Sequence, residues 1–257
     1  MVFFGNRAYH NAKAYETITS SLVDQMSAKK LAEFQLKELA ETFSLGLYKN
    51  DKKKNLETLR KAGEEHKKQS QSDTLYFMLL LLGILGAYFL LSLRAFTFFG
   101  ALIALVTLLF GLITPIMMVT IHKEVEYLGD VVLSFESKGV IGSIVKLFDN
   151  GDVVVALVIL LFSVLIPVLK TLSLAFVSVF MKNKFAHGVV GFFKMIGKWS
   201  MVDVFVVATF LVYLTVDKGD VSRAEVEVGL YFFLAYVIVS MLVSLSADKM
   251  LQENKAG

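Results

Sequence analysis

The sequence predicts an all-α integral membrane protein: a four-helix transmembrane bundle with a small extracytoplasmic α/β cap, plus an extra hydrophobic helix and an N-terminal helical region. Three observations carry this prediction. The mean hydropathy is +0.63 with 56% apolar residues over 257 positions, more than a soluble domain of that length carries. The apolar residues fall in long blocks almost free of charge, each near the roughly 20 residues that a bilayer crossing takes. None of the blocks alternates apolar and polar residues like a barrel wall, which leaves helices as the spanning elements. The chain has no cysteine, so it has no disulfide or thiolate metal site, and sulfur chemistry says nothing about its compartment.

Residues 1–72 read as a polar helical region. Within "AKKLAEFQLKELAETFSLGLY", Ala32, Leu36, Leu39, Phe43 and Leu47 recur every three or four residues and form one apolar stripe. "KNDKKKN" breaks the pattern, and a second helix is expected from about Leu56 to Lys68 with Leu56, Leu59 and Gly63 on one face. The region carries 13 Lys/Arg against 9 Asp/Glu, a balance that suits a solvated helical surface or contact with anionic headgroups. Its start lacks the basic, apolar and small-residue segments of a signal peptide, so insertion is expected to be driven by the spans.

Residues 73–96 hold the extra hydrophobic helix, "TLYFMLLLLGILGAYFLLSL", in which Gly83 and Gly86 read as close-packing positions. The bundle occupies 97–248. Its blocks are "TFFGALIALVTLLFGLITPIMMVTI" (97–121), "VVVALVILLFSVLIPVLKTLSLAFVSVF" (153–180), "MVDVFVVATFLVYLTV" (201–216) and "GLYFFLAYVIVSMLVSLSA" (229–247), and 249–257 form a C-terminal tail. Residues 122–152 read as a folded cap. A β-branched, alternating piece runs around Val131 to Phe135, followed by the amphipathic helix "GSIVKLF" and the turn "DNGD".

The connection "KNKFAHGVVGFFKMIGKW" carries Lys182, Lys184, Lys194 and Lys198 and no acid, which places it in the cytoplasm by the positive-inside rule. The cap and the acidic connection "DKGDVSRAEVEV" then lie outside. Arg60, Lys61, Lys67 and Lys68 precede the extra helix and oppose translocation of the N-terminal region. Two arrangements stay open, one in which residues 74–93 span and one in which they re-enter or dock peripherally.

Four stretches now form a pattern: "GLITPIMMVTI", "LLFSVLIPVLKTLSL", "IGKWSMVDVFVVATFLV" and "GLYFFLAYVIVSMLVS". In this order they resemble one module of the paraquat-inducible protein A family over roughly residues 97–247, with Trp-Ser-Met-x-Asp-Val-Phe the most specific part. The resemblance implies a four-helix module of the inner membrane of double-membraned bacteria. It also implies a lipid-transport role alongside MCE-domain proteins, which form tubes or rings that carry lipid across the envelope. Longer members have two modules and cysteine-rich zinc ribbons; this chain has one module and no cysteine, so no zinc site carries over.

Lys170 is the most informative side chain. A charge at helix centre costs about 2.5–3.5 kcal/mol on insertion scales and usually faces a bundle interior. Ten residues separate it from Phe180, about 15 Å along a helix, too far for easy snorkelling. Pro167 removes a backbone donor and frees a carbonyl one turn back, around Ser163, which opens a polar pocket or simply bends the helix. Ser163, Pro167, Lys170 and Thr171 thus outline a candidate substrate cavity, and Pro115 beside Thr114 is a weaker copy. Asp203 has three readings: its carboxylate favours the positive end of the helix dipole, it completes a cap begun by Ser200, or it pairs with Lys170 or a lysine of the basic connection. Trp199 reads as an interface anchor. Thr215, Ser240 and Ser244 read as satisfying backbone or neighbouring helices.

His122 and His187 are isolated, so no metal is expected, and no cofactor or nucleic-acid site is indicated. The sequence has no nucleophile–base pair, P-loop or dinucleotide fingerprint, so the expected protein is not an enzyme. The reading is a multi-pass inner-membrane subunit that passes phospholipid or another membrane lipid to or from an MCE-domain protein. A membrane scaffold that anchors a partner is the alternative, and an ion-coupled transporter using Lys170 and Asp203 is a third.

Overall fold

The computed structural model describes residues 1–25, 51–86, 91–125, 129–179 and 222–256. Helix α1 is Val2–Gln25 and helix α2 is Asp51–Gly86. No proline interrupts α2, so its polar first half continues without a break past residue 72 into "TLYFMLLLLGILG". Helix α1 lies along α2. Ser70 Oγ donates to the Ala8 carbonyl at 2.9 Å, Asn11 Nδ2 donates to Asp73 Oδ2 at 3.2 Å, and Arg7 Nε lies 3.4 Å from the same carboxylate.

Helix α3, Leu93–Ile113, starts at the N-cap Ser92, whose side chain accepts from the Ala95 N–H. Its 21 residues give about 31 Å, the thickness of a bilayer core. The helix stops because Pro115 pushes Thr114 into an extended conformation, ψ 144°. This corrects the expected block at 97–121. "MMVTI" leaves the helix and opens strand β1, Met117–Val125.

Strand β1 is central in a three-stranded antiparallel sheet ordered β2-β1-β3, where β2 is Gly129–Lys138 and β3 is Ser222–Val226. Met117 pairs with Lys138 on one side and Val226 on the other, and the β1–β2 register shifts between Ile121 and His122. The expected β piece around Val131 to Phe135 is the middle of β2. The third strand comes from the acidic connection, whose composition predicts a loop. Helix α4, Val140–Asp149, follows β2 and ends in a turn whose Gly151 has φ +87°, a conformation that favours glycine.

Helix α5 runs over Val153–Val179 and helix α6 over Val228–Ala256, through most of the expected tail. Among the described residues, three helices are long and apolar enough to cross a membrane: Leu93–Ile113, Val153–Val179 and Val228–Met250, with mean hydropathies of 2.5, 2.9 and 2.3. The expected block at 201–216 lies outside the described residues, as do Trp199, Asp203, Thr215 and the basic connection.

Ala101, Ala104 and Leu108 of α3 share one core with Phe232, Val239 and Val243 of α6. Phe77 of α2 enters it, its ring 4.8 Å from Phe232 and 6.1 Å from Phe110. Those contacts lie near the sheet end of α3 and α6, and Lys67 of α2 reaches Glu225 of β3. At the opposite end, Arg94 of α3 donates to the carbonyls of Ser178 and Val179. The chain therefore passes from the sheet end to the opposite end between Phe77 and Ser92, and the polar half of α2 shares the sheet's side. Among the described residues, a Cβ on Gly83 or Gly86 would meet nothing within 4 Å, so none of these residues packs closely against the two positions expected to be close-packed.

Candidate functional site

The second half of α5 departs from regular helix where the sequence placed a proline. Residues Leu160–Leu165 form a π-helical segment, and the Ile166 N–H bonds to the Leu161 carbonyl, five residues back. Pro167 has no N–H to return to Ser163, so the ladder widens here instead of breaking, and π segments inside helices recur at functional sites. Ser163 lies half-buried in this segment, and Pro167, Lys170 and Thr171 follow it, all buried. Lys170 is 9% exposed. Of the five expected cavity residues, four thus lie on one stretch of α5, while Asp203 falls outside the described residues.

Helix α6 completes this cluster with a residue that the sequence reading missed. The Thr171 hydroxyl donates to the Pro167 carbonyl at 2.8 Å, and the Tyr236 hydroxyl donates to the same oxygen at 3.1 Å while lying 3.3 Å from Thr171 Oγ1. One carbonyl thereby ties two spans together through polar contacts at membrane depth. Tyrosine in an apolar run looks like core or interfacial belt, so only the hydroxyl's need for a buried partner could have signalled it.

Below the cluster, Arg94 Nε donates to the Ser178 carbonyl at 2.8 Å and its Nη2 to the Val179 carbonyl at 2.9 Å. The guanidinium thereby ties the start of α3 to the last described turn of α5. Ser240 donates to the Val237 carbonyl and Ser244 to the Ser240 carbonyl, the backbone role expected of them.

At the sheet end, two of the family-like stretches meet. The Glu227 N–H donates to the Ile116 carbonyl at 2.8 Å and the Gly229 N–H to the Pro115 carbonyl at 2.9 Å. A Cβ on Gly229 would lie 2.5 Å from both the Pro115 and the Thr114 carbonyl oxygens, so the crossing of "TP" over the head of α6 requires glycine.

Next to this crossing, Lys67 Nζ sits 2.5 Å from Glu225 Oε2 and 5.1 Å from the centre of the Tyr15 ring. The Glu227 carboxyl is buried, and its Oε1 has no hydrogen-bond partner among the described residues. Burial first pushes this carboxyl up to about 7. Lys67 opposes the rise, and Glu225 and Glu16 add to it. Burial also raises the Tyr15 phenol, with Glu225 assisting. For Lys67, burial pulls downward, but the hydrogen bond and charge of Glu225 together with Tyr15 outweigh it and leave the ammonium raised.

With this geometry in place, likeness to known proteins becomes informative. The sequence profile of the family described as Paraquat-inducible protein A matches residues 96–252. The protein named intermembrane transport protein PqiA of Escherichia coli K12 is 27% identical over 115 residues, which is 42% of this chain and 27% of that protein. The probable intermembrane transport protein of Haemophilus influenzae is 25% identical over 117 residues, 43% of this chain and 28% of its own length. The match therefore spans under a third of either relative. No solved structure matches the chain significantly.

Proposed function

The chain belongs to the paraquat-inducible protein A family, and from that membership and the buried cluster on α5 we propose that it is a membrane subunit of a bacterial envelope lipid-transport system. It sits in the inner membrane as a multi-pass protein with its sheet on the extracytoplasmic side. It passes phospholipid or another membrane lipid to or from an MCE-domain partner and does no covalent chemistry itself. The relatives' names speak of intermembrane transport, which supports a carrier role; lipid cargo and an MCE partner follow from the family resemblance.

The observation that carries the reading is Lys170, a buried cation on a span whose backbone is already loosened by the π segment and Pro167. A cation held at membrane depth attracts the anionic part of a headgroup far more strongly than one in water. Ser163 and Thr171 supply neighbouring hydroxyls, and Asp203 is the proposed counter-charge. Trp199 anchors the cytoplasmic lip.

The test is purification from native membranes with mass spectrometry of co-purifying lipid and protein, for wild type and Lys170→Met. Wild type is expected to retain phospholipid through exhaustive detergent washing. The variant is expected to lose most of that lipid while keeping its partner. No retained lipid in wild type, together with a variant that still supports envelope integrity, overturns the proposal. A variant that keeps its partner yet loses function argues against a mere scaffold.

A further inference from the structure

Helix α4 is placed unlike the spans. It begins at Gly139, where a Cβ would lie 3.4 Å from the Thr114 carbonyl oxygen at the sheet end of α3. It ends at Asp149, and the turn through Gly151 leads directly into Val153, the first residue of α5. Its ten residues cover about 15 Å, which bridges the ends of two spans on one face of the molecule. A helix joined in this way runs across the face and continues neither span.

Its chemistry is divided along the same lines. Ile144 is buried against the module, whereas Ile141, Val145 and Phe148 are 40%, 53% and 39% exposed. Their spacing of four and three places these three on one strip of the helix. Gly142, Ser143, Lys146 and Asp149 fall on the other side, and there Lys146 pairs with Glu136 of β2. The polar side thus turns toward the sheet. The exposed apolar strip continues across the turn into Val153, Val154 and Val155, the outward-facing first turn of α5.

We infer that α4 is an in-plane membrane anchor, with Ile141, Val145 and Phe148 inserted into the hydrocarbon boundary of the leaflet on the sheet side. The occupant of the strip is the bilayer. The apolar surface of a membrane-spanning helix runs into the strip, while the polar residues of α4 face the sheet that stands above it, the arrangement of an interfacial amphipathic helix. The anchor fixes the depth of the cap and holds the sheet at the headgroup layer. This conclusion rests on the placement of α4 and stands apart from the reading of Lys170.

The chain has no cysteine, so single cysteines report without background. Ile141→Cys, Val145→Cys and Phe148→Cys are compared with Gly142→Cys and Ser143→Cys, and Val154→Cys in the span serves as the reference. Each full-length variant is labelled with bimane and reconstituted into phosphatidylcholine vesicles, with or without lipid brominated near the carbonyl end of its acyl chains. The strip positions are expected to be quenched by brominated lipid at least about twofold more than positions 142 and 143, as at 154, with the order reversed for aqueous iodide. Equal iodide access at all positions overturns the anchor, because the strip then faces water. A strip protected from both quenchers also overturns it, because a protein surface then covers α4. The expected pattern in some strip variants but not in others likewise overturns insertion of the strip as a unit.

Discussion

Replacing Glu227 with glutamine is expected to flatten the dependence of stability on pH. The carboxyl is 4% exposed, and burial, with Glu225 and Glu16 against the opposing Lys67, moves its pKa from 4.5 to about 7. An acid whose pKa is higher in the folded protein keeps its proton longer there. The stabilisation linked to it is therefore complete below 4.5, is lost as pH climbs through about 7, and stays lost above that. At about 1.4 kcal/mol per pH unit the loss reaches about 3 kcal/mol as an upper bound. For a chain of this size that corresponds to roughly 5–10 °C in apparent Tm. Glutamine keeps the shape of the protonated acid and cannot ionise. Melting in detergent micelles, followed from about pH 5 to about pH 8, should show wild type losing stability relative to the variant. The two should coincide at the acid end and diverge through neutrality. Parallel profiles across the whole range would mean that Glu227 ionises as easily folded as unfolded, and would refute the burial argument.

Two further substitutions test the contacts between spans. Tyr236→Phe removes one of the two hydroxyl donors on the Pro167 carbonyl and should cost about 0.5–1.5 kcal/mol by thermal melting. Adding Thr171→Val should cost more than the two single losses combined, since it strips the shared acceptor of its second donor; additive losses argue against sharing. Gly229→Ala places a Cβ 2.5 Å from two backbone oxygens that no rotamer change can move. It should destabilise the fold by about 1–3 kcal/mol, read as a lowered Tm, and an unchanged Tm would refute the close crossing.

Hydropathy made the three described spans legible because hydrocarbon forces every backbone polar group to be satisfied within the segment, so a span has to appear as one long apolar run. The same rule misplaced the end of α3. "MMVTI" is apolar enough to extend a span, and only Pro115, two residues before Met117, marks where helix gives way to strand. Strand β3 was hidden because "SRAEV" has the composition of a solvated connection; its pairing partner is β1, about a hundred residues earlier in sequence. On α5, Ser163, Pro167, Lys170 and Thr171 stood out as polar or helix-breaking residues at membrane depth. Tyr236 did not, because its role depends on which span faces it, and a single span's pattern does not encode its neighbour.

The same dependence on neighbours explains α1 and α2, which lie outside the stretch matched by the family. Their hold on the module comes first from burial. Phe77 is fully buried between Phe110 and Phe232, and Gly5 lies so close to the Phe110 ring that a Cβ would sit 2.5 Å from it. Burying a phenylalanine contributes about 1.5–3 kcal/mol, whereas a partly exposed pair such as Lys67–Glu225 contributes at most about 1 kcal/mol. The aromatic contact therefore supplies the attachment, and the ion pair fixes how α2 meets β3. Glu227 sits at that meeting point and also opens α6, the helix that carries Tyr236 to the Pro167 carbonyl nine residues later. One rigid helix thus links the pH-sensitive contact at the sheet to the polar cluster on α5.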